Sequence, residues 1–247
     1  MEVTMSATLG DADLGSLWYL DTPTYTIAEA SRIVGLTSNR VKRWLEGYTF
    51  HYTTKSGSFL HRSSKGPVVD RGSARGTTYA SFLNLIDLLY VKQFLDEGLS
   101  LQKLRLALEE AKERIGAFHF ANQTFFTDGR NIHLQFGDDG GPIMALLTGG
   151  QYSIAPIIAQ LATRIEFDEV TGYAERYYPL GKKGLVVIDP KFSFGRPTLV
   201  GRRGITTANV IDLYRGEAKR LQPVCKWLGL SRREAQAAIG YELSIAA

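Results

Sequence analysis

Apolar residues recur at helical spacing in a short segment that ends at Gly35. The apolar stripe of this segment consists of Ile27, Ala30, Ile33 and Val34. Its first turn has the capping-box sequence Thr26-Ile-Ala-Glu29, in which each side chain accepts a hydrogen bond from the backbone amide of the other residue. Gly35 can adopt the left-handed conformation that ends a helix. The pattern therefore predicts an amphipathic helix between Thr26 and Gly35.

A second helical segment follows, and its polar face is basic. Thr37 can cap its N-terminus, and the inward-facing positions are Val41, Trp44 and Leu45. The outward-facing positions are Ser38, Asn39, Arg40, Lys42 and Arg43. A recognition helix carries its base-reading and phosphate-reading side chains at its N-terminal end. The two segments predict a helix-turn-helix whose second helix reads DNA, with a solvated helix face as the alternative.

Positive charge is concentrated between Ser31 and Thr78. This segment has nine Lys and Arg residues against two acidic ones, a net charge of +7 in a chain whose total is +4. Residues 51–78 are rich in Ser, Gly and Thr and lack an apolar period, which predicts a long hairpin or loop, a basic wing. Lys55, Arg62 and Lys65 on this wing are expected to contact DNA phosphates. Glycine and serine disfavour the amphipathic helix that membrane-surface binding needs, so double-stranded DNA is the predicted partner.

Two motifs in the first half of the chain match a known family of regulators. One is Tyr25-Thr-Ile-Ala-Glu29, and the other is Gly98-Leu-Ser-Leu101, which joins a second pair of helical patterns. On these motifs, residues 24–116 resemble the MerR-type winged-helix regulators. The resemblance implies a winged helix-turn-helix domain that binds DNA. The sequence departs from the family in its long wing and at Lys42-Arg43-Trp44, where an aromatic-rich end is usual.

Heptad positions follow Gly98, in the region where MerR-type proteins often dimerise through a long helix. These positions are Leu101, Leu104, Leu108, Ala111 and Ile115. They span about two heptads, whereas a coiled coil needs three or four. We therefore expect a core helix here, and a homodimer that forms through another interface.

Residues 117–184 show a mixed pattern that predicts a small α+β middle segment. Asp128-Gly129 is a typical hairpin signal, the run from Ser153 to Ile165 has helical spacing, and the run from Gly184 to Asp189 is typical of a short strand. The aromatic residues of the segment include Phe118, Phe120, Phe125, Phe126, Phe136 and Tyr152. They are expected to fill a small core or, alternatively, to line a small-molecule pocket.

The C-terminal region carries a second set of spaced motifs. They are Gly195-Arg-Pro197, the run Gly201-Arg-Arg-Gly-Ile-Thr206 and, after a helical stretch that ends at Gly229, the capping box Ser231-Arg-Arg-Glu234. On these motifs the region resembles the small bacterial domain of unknown function 433. The resemblance implies a helical, helix-turn-helix-like module over residues 185–247.

The two resemblances together make the chain similar to the larger VapB-type antitoxins of mycobacteria. This similarity implies a partner, a PIN-type ribonuclease toxin whose metal-binding carboxylates make its active-site mouth negative. From Lys182 to Arg233 the chain has twelve basic residues against three acidic ones, a net charge of +9. Arg196, Arg202 and Arg203 are the candidate partner-binding residues, since guanidinium groups pair well with carboxylates. Contact with DNA phosphates and simple solvation are the alternatives for these arginines.

The remaining composition narrows the functional class. The four histidines show no metal-ligand spacing and the glycines form no phosphate-binding motif, so we expect no catalytic residues, no metal and no cofactor. The single Cys225 excludes an intramolecular disulfide, fits a reducing cytoplasm and is expected to be a small buried hydrophobe. No apolar run reaches the roughly 20 residues that span a bilayer. Residues 1–23 are acidic and are expected to form a flexible tail.

The sequence therefore predicts an α+β, mainly helical protein that is not an enzyme. Its domains are expected to be the winged helix-turn-helix of residues 24–116, the middle segment of residues 117–184 and the C-terminal module of residues 185–247. The predicted function is that of a DNA-binding repressor and antitoxin, which neutralises a ribonuclease and autoregulates its operon. The alternative is a MerR-like regulator that senses a small molecule through the aromatic residues of the middle segment.

Overall fold

The computed structural model describes residues 17–53, 60–115, 119–122, 127–128, 131–132 and 159–246. Its first elements are helix α1 (Trp18–Asp21), strand β1 (Tyr25–Thr26), helix α2 (Ile27–Val34) and helix α3 (Ser38–Glu46). They are followed by a β-hairpin, two longer helices, several short strand pairs and a C-terminal group of three helices. Helices and strands thus occur in one chain, and the predicted α+β class is confirmed.

Helix α2 begins and ends, and helix α3 begins, as the sequence predicts. The capping box of Thr26 and Glu29 is formed, and Gly35 ends α2 with a φ of 73°. The side chain of Thr37 accepts a hydrogen bond from the amide of Arg40 and caps α3. The inward-facing residues Val41, Trp44 and Leu45 are buried. These signals act within a few residues, so they specify the two helices locally.

A β-hairpin follows α3, as the basic wing predicts. Strand β2 (Tyr48–Thr53) pairs antiparallel with strand β3 (Leu60–Lys65), and Tyr48 lies opposite Lys65. Gly47 has a φ of 75°, and a Cβ atom on it would lie 2.4 Å from the carbonyl oxygen of Lys65. A residue without a side chain is therefore required where the hairpin leaves α3.

Helix α4 (Phe82–Asp96) lies at the centre of the core. It follows strand β4 (Tyr79–Ala80), which pairs with β1, and its N-terminus has a capping box of Ser81 and Asn84. Eleven of its fifteen residues are buried. Helix α1 packs against α4, and Leu17 and Leu20 are buried in the same core. The flexible tail expected for residues 1–23 is therefore wrong for its last part, because apolar residues there are buried by α4.

Helix α5 (Leu101–Ile115) begins three residues after Gly98, which has a φ of 91°. Leu104 is fully buried, and Leu101 and Leu108 pack against the core that surrounds α4. The prediction of a core helix is confirmed at these three positions. The side chains of Ala111 and Ile115 lie outside what the structure describes.

The middle segment shares its core with the N-terminal elements. Strands β5 (Thr127–Asp128) and β6 (Asn131–Ile132) pair antiparallel, as the Asp128-Gly129 signal predicts, and strand β7 (Ile165–Phe167) pairs with β8 (Ala174–Tyr177). The buried apolar residues of this segment that join the core of α4 are Phe120, Ala121, Leu161, Ile165, Ala174 and Tyr177, and Ile188 of the following segment joins the same core. Residues 159–162 are helical, but the predicted helix is wrong at its end, because Ile165 starts a strand. Residues 133–158 lie outside the described residues.

The C-terminal module has its own small core. Strands β9 (Val186–Val187), β10 (Thr198–Leu199) and β11 (Arg202–Thr206) form an antiparallel sheet in the order β11-β10-β9. Three helices follow, α6 (Thr207–Gly216), α7 (Leu221–Leu228) and α8 (Arg232–Ile245). The core between sheet and helices consists of Leu199, Val210, Val224, Leu230, Ala235, Ala238 and Ile239. Gly229 has a φ of 62°, and the Ser231–Glu234 capping box is formed as predicted.

The C-terminal module is attached to α2. Arg32 Nη2 lies 2.9 Å from Glu242 Oε2, and the hydroxyl of Thr207 donates a hydrogen bond to the other oxygen of this buried carboxylate. The hydroxyl of Tyr25 donates to the carbonyl oxygen of Gly195 at 2.9 Å, and burial raises the pKa of Tyr25 far above its usual range. The first helix of the predicted DNA-binding pair is thus held by the C-terminal module.

In the part of the chain that the structure describes, no helix combines the length and the apolar composition needed to cross a membrane.

Candidate nucleic-acid interface

The predicted DNA-reading residues lie together on the exposed face of α3. The exposed residues are Thr37, Ser38, Asn39, Arg40, Lys42 and Arg43. The opposite face of the helix is held by Val41, Trp44 and Leu45, which are at most 3% exposed. Because its buried face is fully packed, α3 presents this polar row on a rigid support.

Neighbouring groups restrict the basic side chains of α3. The guanidinium carbon of Arg40 lies 5.6 Å from the ring centroid of Trp44, and that of Arg43 lies 5.0 Å from the ring centroid of Tyr48. Lys42 Nζ lies 3.9 Å from the carboxylate of Glu46, one helical turn away. Cation–π contacts at exposed sites contribute about 0.5–1 kcal/mol, so they orient these side chains without preventing a contact with DNA.

The hairpin has an aromatic face. Tyr48, Phe50 and Tyr52 alternate along β2, with ring centroids 5.8 Å and 6.0 Å apart. Successive side chains of a strand point to opposite faces, so the three rings form one row. Arg43 of α3 stacks on Tyr48 at the base of this row. This row was not predicted, although the alternation of aromatic residues from Tyr48 to Tyr52 is its signal in the sequence.

The wing residues Arg62 and Lys65 lie on different faces of the hairpin. Lys65 is opposite Tyr48 and shares the aromatic face, whereas Arg62 is opposite His51 on the other face. Both residues are exposed. Lys55, the third predicted phosphate contact, lies outside the described residues.

Arg71 contributes to the net charge of the basic segment but is buried. Its side chain is 6% exposed and donates hydrogen bonds to the carbonyl oxygens of Thr77, at 2.8 Å, and Tyr79. Its Nη1 atom also lies 3.8 Å from the carboxylate of Glu46. A charge count along the sequence could not distinguish this arginine from exposed ones.

The candidate partner-binding arginines make contacts within the chain. Arg202 Nε donates to Glu234 Oε1 at 3.1 Å, and hydrogen bonds from Ser231, together with Arg202, lower the pKa of Glu234 to about 2. The guanidinium carbon of Arg203 lies 4.1 Å from the ring centroid of Phe192, and Arg196 Nε lies 3.8 Å from Glu29. Arg202 and Arg203 are exposed on β11, an edge strand of the C-terminal sheet.

An exposed aromatic residue lies near Arg203 and was not identified from the sequence. Phe194 is 75% exposed and has a φ of 54°, in a run of three left-handed residues, Ser193 to Gly195. The Ser193 hydroxyl donates to the carbonyl oxygen of Arg203 at 2.7 Å. A left-handed conformation costs a residue with a side chain of order 1–3 kcal/mol. The segment thus presents a large apolar ring to solvent at an energetic cost.

Six aromatic residues of the middle segment were candidates to line a ligand pocket, and the structure describes one of them, Phe120. Its ring packs 5.6 Å from Tyr90 and 5.3 Å from Phe94, and the residue is 3% exposed. Phe120 therefore fills the core. The other five candidate residues lie outside the described ranges.

One of the four histidines, His119, takes part in a buried polar pair. His119 Nδ1 lies 2.7 Å from Asp87 Oδ2 in the core. Burial opposes protonation of His119, but the charge and hydrogen bond of Asp87 outweigh it and raise the pKa of the histidine.

Cys225 is only partly buried, against the prediction, because it packs at the edge of the C-terminal core. Among the described residues, no three His, Cys, Asp or Glu side chains are placed to share a metal ion.

Comparison with known proteins relates the chain to proteins of Mycobacterium tuberculosis. It is 24% identical to the protein named "Putative antitoxin VapB45" over 209 residues, which cover 80% of this chain and 85% of that protein. It is 27% identical over 240 residues to uncharacterized protein Rv2308, covering 93% and 94% of the two chains.

The fold also matches a solved structure. The X-ray crystal structure of Rv2018 from M. tuberculosis superimposes with a TM-score of 0.60 and 21% identity, over 89% of this chain and 99% of that one. No family model matches the sequence. The resemblances to MerR-type regulators and to the domain of unknown function 433 therefore stay predictions.

Proposed function

We propose that the chain is a DNA-binding repressor and the antitoxin of a VapBC-like pair, which neutralises a PIN-type ribonuclease and represses its own operon. The similarity to VapB45 over most of both chains supports the antitoxin role. The DNA-binding role rests on a different observation, the exposed polar row of α3 beside a basic hairpin. The two roles are assigned to opposite ends of the chain.

The exposed row of α3 carries the DNA-binding proposal. Asn39 and Arg40 lie on its first turn, and amide and guanidinium groups pair bidentately with adenine and guanine in the major groove. Arg62 and Lys65 on the hairpin supply sequence-independent contacts to phosphates. The row consists of six exposed polar side chains, and the opposite face of the helix is buried. A DNA-reading role accounts for this arrangement, and a solvated helix face is the alternative.

DNA binding is tested by footprinting the purified full chain on the DNA upstream of its own reading frame. We expect a protected site that disappears in Lys42→Glu/Arg43→Glu, because both charges on the reading face are reversed. Lys103→Glu is the matched control, since Lys103 is exposed on α5. Protection that persists in the double variant would reduce the row on α3 to a solvated helix face.

We propose that the chain acts on DNA as a homodimer. A dimer places two recognition helices on two half-sites, so its operator is expected to have two symmetric halves. Light scattering of the full chain measures the mass directly, and a footprint of two symmetric half-sites is expected with it. A monomeric mass with a single protected half-site would contradict the dimer.

The C-terminal module is the proposed site for the toxin. Phe194 follows Ser193, whose hydroxyl donates a hydrogen bond to the carbonyl oxygen of the exposed Arg203, and aromatic and arginine side chains are enriched in protein interfaces. Arg196 lies 3.8 Å from Glu29 of α2, so it is also paired within the chain. Arg202 is paired with Glu234, so its contribution requires an exchange of partners. The carboxylates around the active-site opening of a PIN-type nuclease would attract the basic side chains of the C-terminal module and pair with them.

Co-expression with the product of a neighbouring PIN-type reading frame tests this surface. Phe194→Ala/Arg203→Glu should abolish co-purification and growth rescue, while DNA binding stays unchanged. Arg215→Glu is the control, because Arg215 is 57% exposed on α6. If the double variant still captures the nuclease, the toxin binds elsewhere; if it loses DNA binding instead, the module is a second DNA reader.

A further inference from the structure

A cavity of about 600 Å³ lies between the C-terminal end of α3, residues 67–78 and α5. One part of its wall is apolar and includes Leu45, Val68 and Leu108. The other part carries four basic side chains, Lys42, Arg71, Arg75 and Arg105. We refer to it as the α3–α5 cavity. None of its lining residues belongs to the middle segment, for which a ligand pocket was the alternative prediction.

Two guanidinium groups of the α3–α5 cavity have unused hydrogen-bond donors. Arg71 is 6% exposed, and its Nε atom is buried without a hydrogen-bond partner among the described residues. The Nη2 atom of Arg105 is likewise buried and unpaired within the described ranges. Both side chains are anchored by their other nitrogens, Arg71 to the carbonyl oxygens of Thr77 and Tyr79, and Arg105 to that of Gly66. Each therefore holds a free N–H in a defined position.

A buried donor without a partner is costly, and more so on a charged group. Guanidinium groups bind carboxylates and phosphates through short, charge-assisted hydrogen bonds. Water can satisfy one such donor, but two fixed cations lining one cavity favour an anionic acceptor.

The carboxylates of the cavity leave positive charge in excess. Three acidic residues, Glu46, Asp70 and Glu109, face four basic ones. Glu46 lies 3.8 Å from Arg71 and 3.9 Å from Lys42, so it is shared between two cations. Asp70 lies 3.5 Å from Arg75.

We propose that the α3–α5 cavity binds a small organic anion, whose carboxylate or phosphate group pairs with the guanidinium groups of Arg71 and Arg105 while its apolar part packs on Leu45 and Leu108. The same anionic chemistry has two sources, a free molecule or a phosphate of the DNA backbone. The proposal assigns a ligand site and does not rest on the toxin or on DNA binding.

The α3–α5 cavity adjoins both α3 and the β2–β3 hairpin, the two elements proposed to contact DNA. Glu46 ends α3, and Arg105 holds the Gly66 carbonyl immediately after β3 while its guanidinium carbon lies 5.9 Å from the ring centroid of Tyr48. An anion that binds Arg105 therefore changes the contacts of this side chain with Gly66 and Tyr48 at the start of the hairpin, and it also lies beside the end of α3.

NMR of the DNA-free full chain tests the site. Benzoate and inorganic phosphate are titrated separately while the Nε–Hε signals of the arginines are followed; a buried, slowly exchanging Arg71 Nε–H is suited to detection. We expect a saturable downfield shift of the Arg71 signal, with half-saturation at about 1 mM or below for at least one probe. Absence of saturation with both probes would overturn the proposal.

Substitutions decide whether the shift comes from this cavity. Arg105→Gln should weaken binding at least about tenfold, the loss expected when a charged hydrogen bond is removed. Arg71→Lys, which keeps the charge but removes Nε, should do the same if it folds. Lys103→Gln, on α5 but not part of the cavity lining, should bind as the wild type does. Wild-type affinity in Arg105→Gln would contradict the assignment.

A second titration separates the two sources of the anion. The probe that binds is added to the complex of the full chain with its promoter duplex. Retained affinity supports a free molecule as the occupant. Strict competition between probe and duplex, lost in Arg105→Gln, would overturn the free-molecule assignment and make the cavity the seat of a backbone phosphate.

Discussion

Replacing Arg40 with alanine should impair DNA recognition much more than folding. Arg40 is exposed, and its described contact is with Trp44, 5.6 Å away from the ring centroid. Removing such an exposed cation–π interaction costs about 0.5–1 kcal/mol. An arginine that reads a base edge contributes roughly 1–3 kcal/mol, which is about a 5- to 150-fold change in Kd. The two effects differ enough to be measured separately.

Fluorescence anisotropy at constant salt concentration gives the affinity of Arg40→Ala for the promoter duplex and for a panel of single base-pair changes. We expect Arg40→Ala to bind the native duplex more weakly than the wild type does. At the one base pair that Arg40 reads, the variant should bind all four sequences equally, because the side chain that distinguished them is gone. The melting temperature should fall by only about 1–4 °C. Lys103→Ala is the control for removal of a surface charge. Unchanged affinity for the native duplex would refute base contact by Arg40, and an equal loss on every duplex would make it a phosphate contact.

Three further perturbations follow from the geometry. Arg62→Ala and Lys65→Ala should each lower the log–log salt slope of DNA binding by about 0.9 for every phosphate that the side chain neutralises; unchanged slopes in binding titrations would make the hairpin a solvated element. Gly47→Ala should destabilise the chain by about 1–3 kcal/mol in chemical denaturation, because its φ of 75° is strained for alanine and the new Cβ meets the Lys65 carbonyl. The carboxyl of Glu234 has its pKa lowered from 4.5 to about 2 in the folded state, so the stability it contributes is present above pH 4.5 and is lost as the pH falls towards 2. Glu234→Gln should flatten the denaturation profile over this range, and an identical profile in the variant would contradict the role of this carboxylate.

Short-range signals predicted several helix ends correctly, although the end of the helix predicted up to Ile165 was wrong. The capping boxes at Thr26 and Ser231, the cap at Thr37 and the left-handed glycines 35 and 229 are all formed. Each depends on residues at most a few positions apart, whose hydrogen bonds form in any context that allows a helix. The exposed row of α3 was predictable for the same reason, since helical periodicity alone separates it from Val41, Trp44 and Leu45.

Contacts between distant residues were not predictable in this way. The burial of Arg71, the packing of α1 on α4 and the pairing of Arg202 with Glu234 depend on where other elements lie. A basic residue looks the same along the sequence whether solvent or a carbonyl oxygen surrounds it. For this reason the charge counts overstated the free cations of both basic regions.

The attachment of the C-terminal module shows the same division most clearly. Tyr25 and Gly195 are separated by 170 positions, and Arg32 and Glu242 by 210. Neither pair has a periodicity or a spacing that marks it, because a long-range contact is selected by the packing of whole elements rather than by local conformation. The sequence alone identified a capped helix pair with a basic face, whereas its attachment to the C-terminal module and the unpaired donors of the α3–α5 cavity are consequences of tertiary packing.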